Sequence, residues 1–70
     1  MSKLKTIREN LGYKQEDIAE LIGVSLPNYC KKENGDVKVS LIEAKKISTK
    51  FNMSIDEIFF NDEVSIIETN

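Results

Sequence analysis

The stretch "VSLPNYCKKENG", residues 24–35, gathers an amide at Asn28, a thiol at Cys30, amines at Lys31 and Lys32 and a carboxylate at Glu33. Such groups donate and accept hydrogen bonds and carry charge, but nothing around them assembles a reaction. The chain has no histidine for general-base work, and its one cysteine has no histidine beside which to become a nucleophile. No glycine-rich loop is present to cradle a phosphate. Asp56–Glu57 and Asp62–Glu63 are adjacent carboxylates on a terminal helix and tail, poor geometry for paired acid–base chemistry. A conventional zinc site lacks ligands, so neither a metal nor a cofactor is expected. The residue types predict a binding protein and not an enzyme. Cys30 has no second cysteine to pair with, which suits a reducing cytoplasm, and is expected to be a small buried thiol.

The elements that must position this stretch follow from periodicity and caps. Leu4, Ile7 and Leu11 recur at helical spacing and predict a first helix over 3–10, with Gly12 just past its end. A second runs from about Gln15 to Ile22, acidic in its first turn through Glu16 and Asp17, with Ile18, Ala19 and Ile22 inward and Gly23 as its stop. Ser25 is a good N-cap for a third, with Pro27 in its first turn, Tyr29 in the core and Gly35 closing it. Asp36–Lys38 is a loop. Ser40 then caps a fourth helix whose inward stripe is Leu41, Ala44, Ile47, Ser48 and Phe51. Ser54 with Glu57 forms a capping box that opens a short fifth helix through Ile58 and Phe59. The expected fold is an all-α bundle of five short helices.

Seventy residues allow one domain near the lower size limit for an autonomous core. No apolar run reaches the roughly 20 residues needed to span a bilayer, and the N-terminus lacks the apolar region of a secretory signal. The net charge of −2 conceals an asymmetry: residues 1–50 hold all ten lysines and arginines against seven acids, whereas residues 51–70 hold five acids and no base. Local field, not net charge, steers a polyanion. Charge alone favours the plainer reading, a generic solvated surface with an acidic tail.

The second and third predicted helices are separated only by Gly23-Val24-Ser25, too short for an antiparallel hairpin but suited to a crossing of about 90–120°. Val24 is placed to plug the angle. Together "QEDIAELIGVS", "YCKKENG" and "SLIEAKKISTKFNMSIDEIF" closely resemble the phage-repressor, Cro-like (Xre-type) helix-turn-helix family, over about Leu4 to Phe59. The resemblance implies a lambda-repressor-like fold with residues 1–60 as the DNA-binding domain and 61–70 as a tail. It implies a sequence-specific regulator of transcription, a repressor in the first instance, that binds a palindromic double-stranded DNA operator as a homodimer with the third helix in the major groove.

On that resemblance Leu26, Pro27, Asn28 and Lys31 are the base contacts. Leu26 and the Pro27 ring can pack on thymine methyl groups, and Lys31 can donate to guanine O6 and N7. Local sequence also allows Leu26 and Pro27 to be a helix-start staple and a favourable first residue. Lys14, Gln15, Ser25, Asn34 and Lys38 match phosphate-contacting positions, although Lys38 also reads as a solvated loop residue. Three departures stand out: Lys14 replaces the family's usual Ser or Thr cap, Asp36 its usual base, and Lys32 an apolar residue whose place its stem can take while the amine reaches solvent. Arg8 and Glu33 match an ion pair that joins helix one to helix three and orients the reading helix.

The tail "FFNDEVSIIETN" holds Phe60, Val64, Ile66 and Ile67, more apolar surface than so small a domain can bury. Asn61-Asp62 reads as a turn and the residues after it as a short strand. Two such strands about a two-fold axis could form much of a homodimer interface, the alternative being a frayed terminus. A second function class remains open at this point: a protein-interaction module such as an antitoxin or adaptor, favoured by the acidic segment from Asp56 to Glu68.

Overall fold

A computed structural model describes residues 3–60. Five helices follow one another: α1 (Lys3–Asn10), α2 (Gln15–Ile22), α3 (Leu26–Asn34), α4 (Leu41–Phe51) and α5 (Ile55–Phe59). No strand occurs among the described residues. Val64, Ile66 and Ile67, with the expected tail strand, lie outside them.

Helix ends are set by local chemistry. Ser25, Ser40 and Ser54 accept, through their hydroxyls, the backbone N–H of Asn28, Glu43 and Glu57 at 3.2, 3.1 and 3.0 Å. Glu43 and Glu57 return the contact to the backbone N–H of Ser40 and Ser54, completing two capping boxes. At α2 only the return half exists, because the Lys14 side chain has no acceptor: its backbone N–H donates to Asp17 at 2.8 Å. At their other ends α1 to α4 share one device, a paired 6→1 and 5→2 backbone closure. In α2 the Val24 N–H reaches the Ala19 carbonyl at 3.0 Å and the Gly23 N–H the Glu20 carbonyl at 3.2 Å. The αL residue is glycine in three of the four and Asn52, at φ 56°, in the last.

The core lies where the helices converge. Leu4, Ile18, Ala19, Ile22, Tyr29, Ile47, Phe51 and Ile58 are buried together, and Val24 packs against them from the α2–α3 corner. α2 packs on α3 and α4, while α1 packs on α5 and α3. Tyr13, in the α1–α2 connection, stacks on Phe51 with ring centroids 5.5 Å apart, and Lys50 Nζ stands 5.6 Å from the Tyr13 centroid.

Two residues that share a helical spacing with the core lie outside it, and for Leu41 this corrects an expected inward position. Leu11 is exposed, because α1 ends at Asn10 and the following turn carries Leu11 off the helical stripe. Leu41 is 69% exposed: it occupies the first position of α4, which packs chiefly on α2 and α5 through Ala44, Ile47 and Phe51 farther along. Helical spacing identifies a stripe but not the length over which a neighbour covers it.

The αL closure at Gly23 gives a test. Gly23→Ala should cost about 1 kcal/mol because that backbone disfavours a Cβ, even though no atom lies within 4 Å of where the Cβ would sit. Gly23→Asn should lose less, since asparagine tolerates αL. Urea unfolding of both variants reads the order, and equal losses would refute a purely conformational cost.

Candidate nucleic-acid interface

α3 is held by its inward side. Glu33 is 1% exposed and its carboxylate accepts four hydrogen bonds. Arg8 donates through Nε to Oε1 at 2.6 Å and through Nη2 to Oε2 at 3.3 Å. The Tyr29 hydroxyl donates to Oε1 at 2.9 Å, and the Gln15 amide donates to Oε2 at 2.9 Å. Arg8 also donates to the Tyr13 carbonyl at 2.6 Å. One carboxylate therefore joins α1, α2 and α3, and among the described residues no buried side-chain polar atom lacks a partner.

Burial alone would raise the Glu33 carboxyl, but the hydrogen bonds from Arg8, Gln15 and Tyr29, with the charge of Arg8, outweigh it and hold the group below its ordinary 4.5. The hydrogen bond to Glu33 raises Arg8 further above its ordinary range. Burial, and then the hydrogen bond to Glu33, push the Tyr29 phenol far above its ordinary 10.0, so it stays a donor.

With that side fixed, the outward side of α3 presents Leu26, Pro27, Asn28 and Lys31 to solvent. Leu26 is 43% exposed, so it does not act as a buried staple. Leu26 also borders a shallow depression shared with Lys5, Lys14 and Gln15, which brings the start of α2 beside the tip of α3. Lys14, Ser25, Asn34 and Lys38 are exposed. The Ser25 hydroxyl is occupied as the α3 cap.

Sequence reasoning missed two arrangements. Gln15 turns its amide into the domain: besides the bond to Glu33, its carbonyl oxygen accepts from the Cys30 thiol at 3.4 Å. Cys30 is accordingly half-buried and hydrogen-bonded, not sealed in the core. Lys32 does not end in solvent; its Nζ donates to the Lys38 carbonyl at 3.0 Å and lies 3.1 Å from Glu43 Oε1. The α4 capping box was the available signal, because it places Glu43 in the first turn after the loop from α3. The tie fixes the backbone of the Asp36–Lys38 loop while leaving the Lys38 side chain exposed.

Acid should unlock the lock on α3. A carboxyl whose folded pKa is depressed stabilises fully above its unfolded value, and that stabilisation is lost as pH falls through the folded value. Glu33, together with the capping-box carboxylates Glu43 and Glu57, is shifted in that direction. The unfolding temperature should therefore drop as pH is lowered from about 6 to about 3, and Glu33→Gln should flatten part of that drop. An unchanged pH profile in Glu33→Gln would show that Glu33 titrates alike in both states. Arg8→Met, which strands the buried carboxylate, should cost about 3–5 kcal/mol at neutral pH.

The helix-turn-helix family profile matches residues 4–58. An uncharacterised HTH-type transcriptional regulator of Bacillus subtilis, YgzD, is 36% identical over 62 residues, which cover 89% of this chain and 94% of that protein. An uncharacterised HTH-type transcriptional regulator of Archaeoglobus fulgidus is 33% identical over 67 residues, 96% of this chain and 94% of its own. A crystal structure of a transcriptional regulator from Listeria innocua matches with a TM-score of 0.75 at 24% identity, covering 96% of this chain and 67% of that one, and speaks for the fold. Sequence relatives and the α2–turn–α3 unit agree: the chain belongs to the helix-turn-helix family of transcriptional regulators.

Proposed function

We propose that the protein binds double-stranded DNA sequence-specifically, as a homodimer on a palindromic operator in the cytoplasm, and represses transcription there. One observation supports this reading above the others. The buried residues Tyr29 and Glu33 fix α3 from within, so that Leu26, Pro27, Asn28 and Lys31 stand outward as one rigid set. A helix held this way can enter a major groove, with Leu26 and Pro27 on thymine methyl groups and Lys31 and Asn28 on base edges. Lys14, Asn34, Lys38, Ser25 and the start of α2 at Gln15 flank that face as the phosphate-positioning groups. The contribution of Gln15 is its backbone N–H, since its side chain is engaged by Glu33 and Cys30. A dimer, with Phe60 and residues 64–67 supplying much of its interface, would set two α3 helices about 34 Å apart, one turn of DNA.

The protein-interaction alternative draws on the acidic segment from Asp56 to Glu68 and on the exposed apolar start of α4, but both leave the outward set on α3 without a purpose. Selection from random duplexes at a stated salt concentration tests the proposal directly, because affinity without salt carries no meaning. Recovery of a palindromic motif supports it, and an unenriched pool defeats it. Lys31→Ala should weaken specific binding by about 1–3 kcal/mol and relax preference at one base pair of each half-site. A uniform loss over all sequences would place Lys31 on phosphate. Lys38→Ala should give that uniform loss, and a changed base preference would overturn its assignment.

A further inference from the structure

The outer face of α4 changes character along its length. Leu41 and Ile42, at its start, are 69% and 70% exposed. Lys45, Lys46, Thr49 and Lys50 follow on the same side, opposite the buried Ala44, Ile47 and Phe51. Leu21 of α2 joins these four residues to wall an open groove. Among the described residues neither Lys45 nor Lys46 has an ion pair, so this face combines unpartnered apolar surface with unpaired positive charge.

The ten residues after Phe60 read "NDEVSIIETN" and carry the complementary pattern. Two acids, Asp62 and Glu63, come first, and Val64, Ile66 and Ile67 follow. That order matches α4 traversed from its C-terminal end: lysines first, then Ile42 and Leu41. Length agrees as well. Seven extended residues reach about 23 Å, enough to run along an eleven-residue helix of about 16 Å. The chain departs at Phe60, whose carbonyl accepts from Lys3 Nζ on α1 at 3.4 Å, and α1 packs on α5 and α3. The described chain thus ends beside α1.

We infer that residues 61–67 of one copy lie along the outer face of α4 of a second copy, Asp62 and Glu63 on Lys45, Lys46 and Lys50, and Val64, Ile66 and Ile67 on Ile42 and Leu41. The inference rests on the homodimer proposed above and names what its arms grip. The exchange is reciprocal, as a two-fold interface requires. It also uses the charge division of the chain, a basic first fifty residues against an acidic last twenty.

Charge exchange tests it. Chain one carries Lys45→Glu and Lys46→Glu, and chain two carries Asp62→Lys and Glu63→Lys. Each alone sets like charge against like in its own dimer, so each should self-associate at least about tenfold more weakly than the parent by sedimentation equilibrium. Mixed, they should form a heterodimer near parental strength, because each arm then meets an α4 of opposite sign. All four substitutions sit at exposed helix positions of α4 or beyond Phe60, and circular dichroism checks that the helices persist. A parental dimer that neither pair weakens, or two weakened chains that fail to rescue each other, overturns the inference while leaving the dimer standing. A parental chain that sediments as a monomer at micromolar concentration overturns the dimer itself and this seat with it. If the α4 pair weakens binding to random DNA but not self-association, those lysines face phosphate and the proposed seat is wrong.

Discussion

A single buried carboxylate sets the terms for the rest of this domain. Glu33 sits on α3, yet its partners come from α1 through Arg8, from α2 through Gln15 and from its own helix through Tyr29. Desolvating two charges offsets most of what their attraction returns, so the pair contributes little net stability against a well-packed apolar substitute. Its value is directional. Hydrophobic contacts among Leu4, Ile18, Tyr29 and Ile47 tolerate small rotations of a helix, whereas a carboxylate accepting four bonds does not. A rotation of α3 about its axis would break several bonds together and leave charge in the core.

The helix ends divide the same task. Four successive helices close with the same pair of backbone bonds, and their connections can therefore be only a few residues long. Short connections suit a chain of this size, whose core is too small to hold long loops in place. The three serine caps and the two complete capping boxes fix where the following helices begin. Direction is thus specified at both ends of most segments by groups adjacent in sequence, and the long-range work is left to the core and the Arg8–Glu33 pair.

That division explains what could be read without a structure. All five helices and most of their boundaries were legible, because caps, glycines and apolar spacing are local signals. The outward positions of α3 came from the family resemblance and not from spacing, and the burial of Tyr29 and Glu33 on the opposite side agrees with their exposure. What escaped depends on tertiary surroundings. Nothing in the spacing of Leu41 reveals that its neighbours on α2 and α5 lie farther along α4. The turning of Gln15 toward Glu33 required knowing that the Glu33 carboxylate of α3 comes within 2.9 Å of its amide. Lys32 looked like a snorkelling lysine until Glu43 and the Lys38 carbonyl proved to be within its reach. Leu11 shares the spacing of Leu4 and Ile7, but the helix ends at Asn10 before the αL turn at Gly12, as the expected bounds had it.

The interleaving of two residue sets on α3 has a consequence for inheritance and engineering. Residues 26, 27, 28 and 31 face solvent, residues 29 and 33 face the interior, and no position serves both. A lineage can therefore rewrite its outward alphabet one letter at a time while the grammar that folds the domain stays intact. The reverse freedom does not exist. Nine residues are too few to remain helical alone, so an excised α3 carries its letters away without the frame that makes them legible. If the outward set reads DNA as proposed, transplanting specificity between such domains means moving four side chains and not a helix.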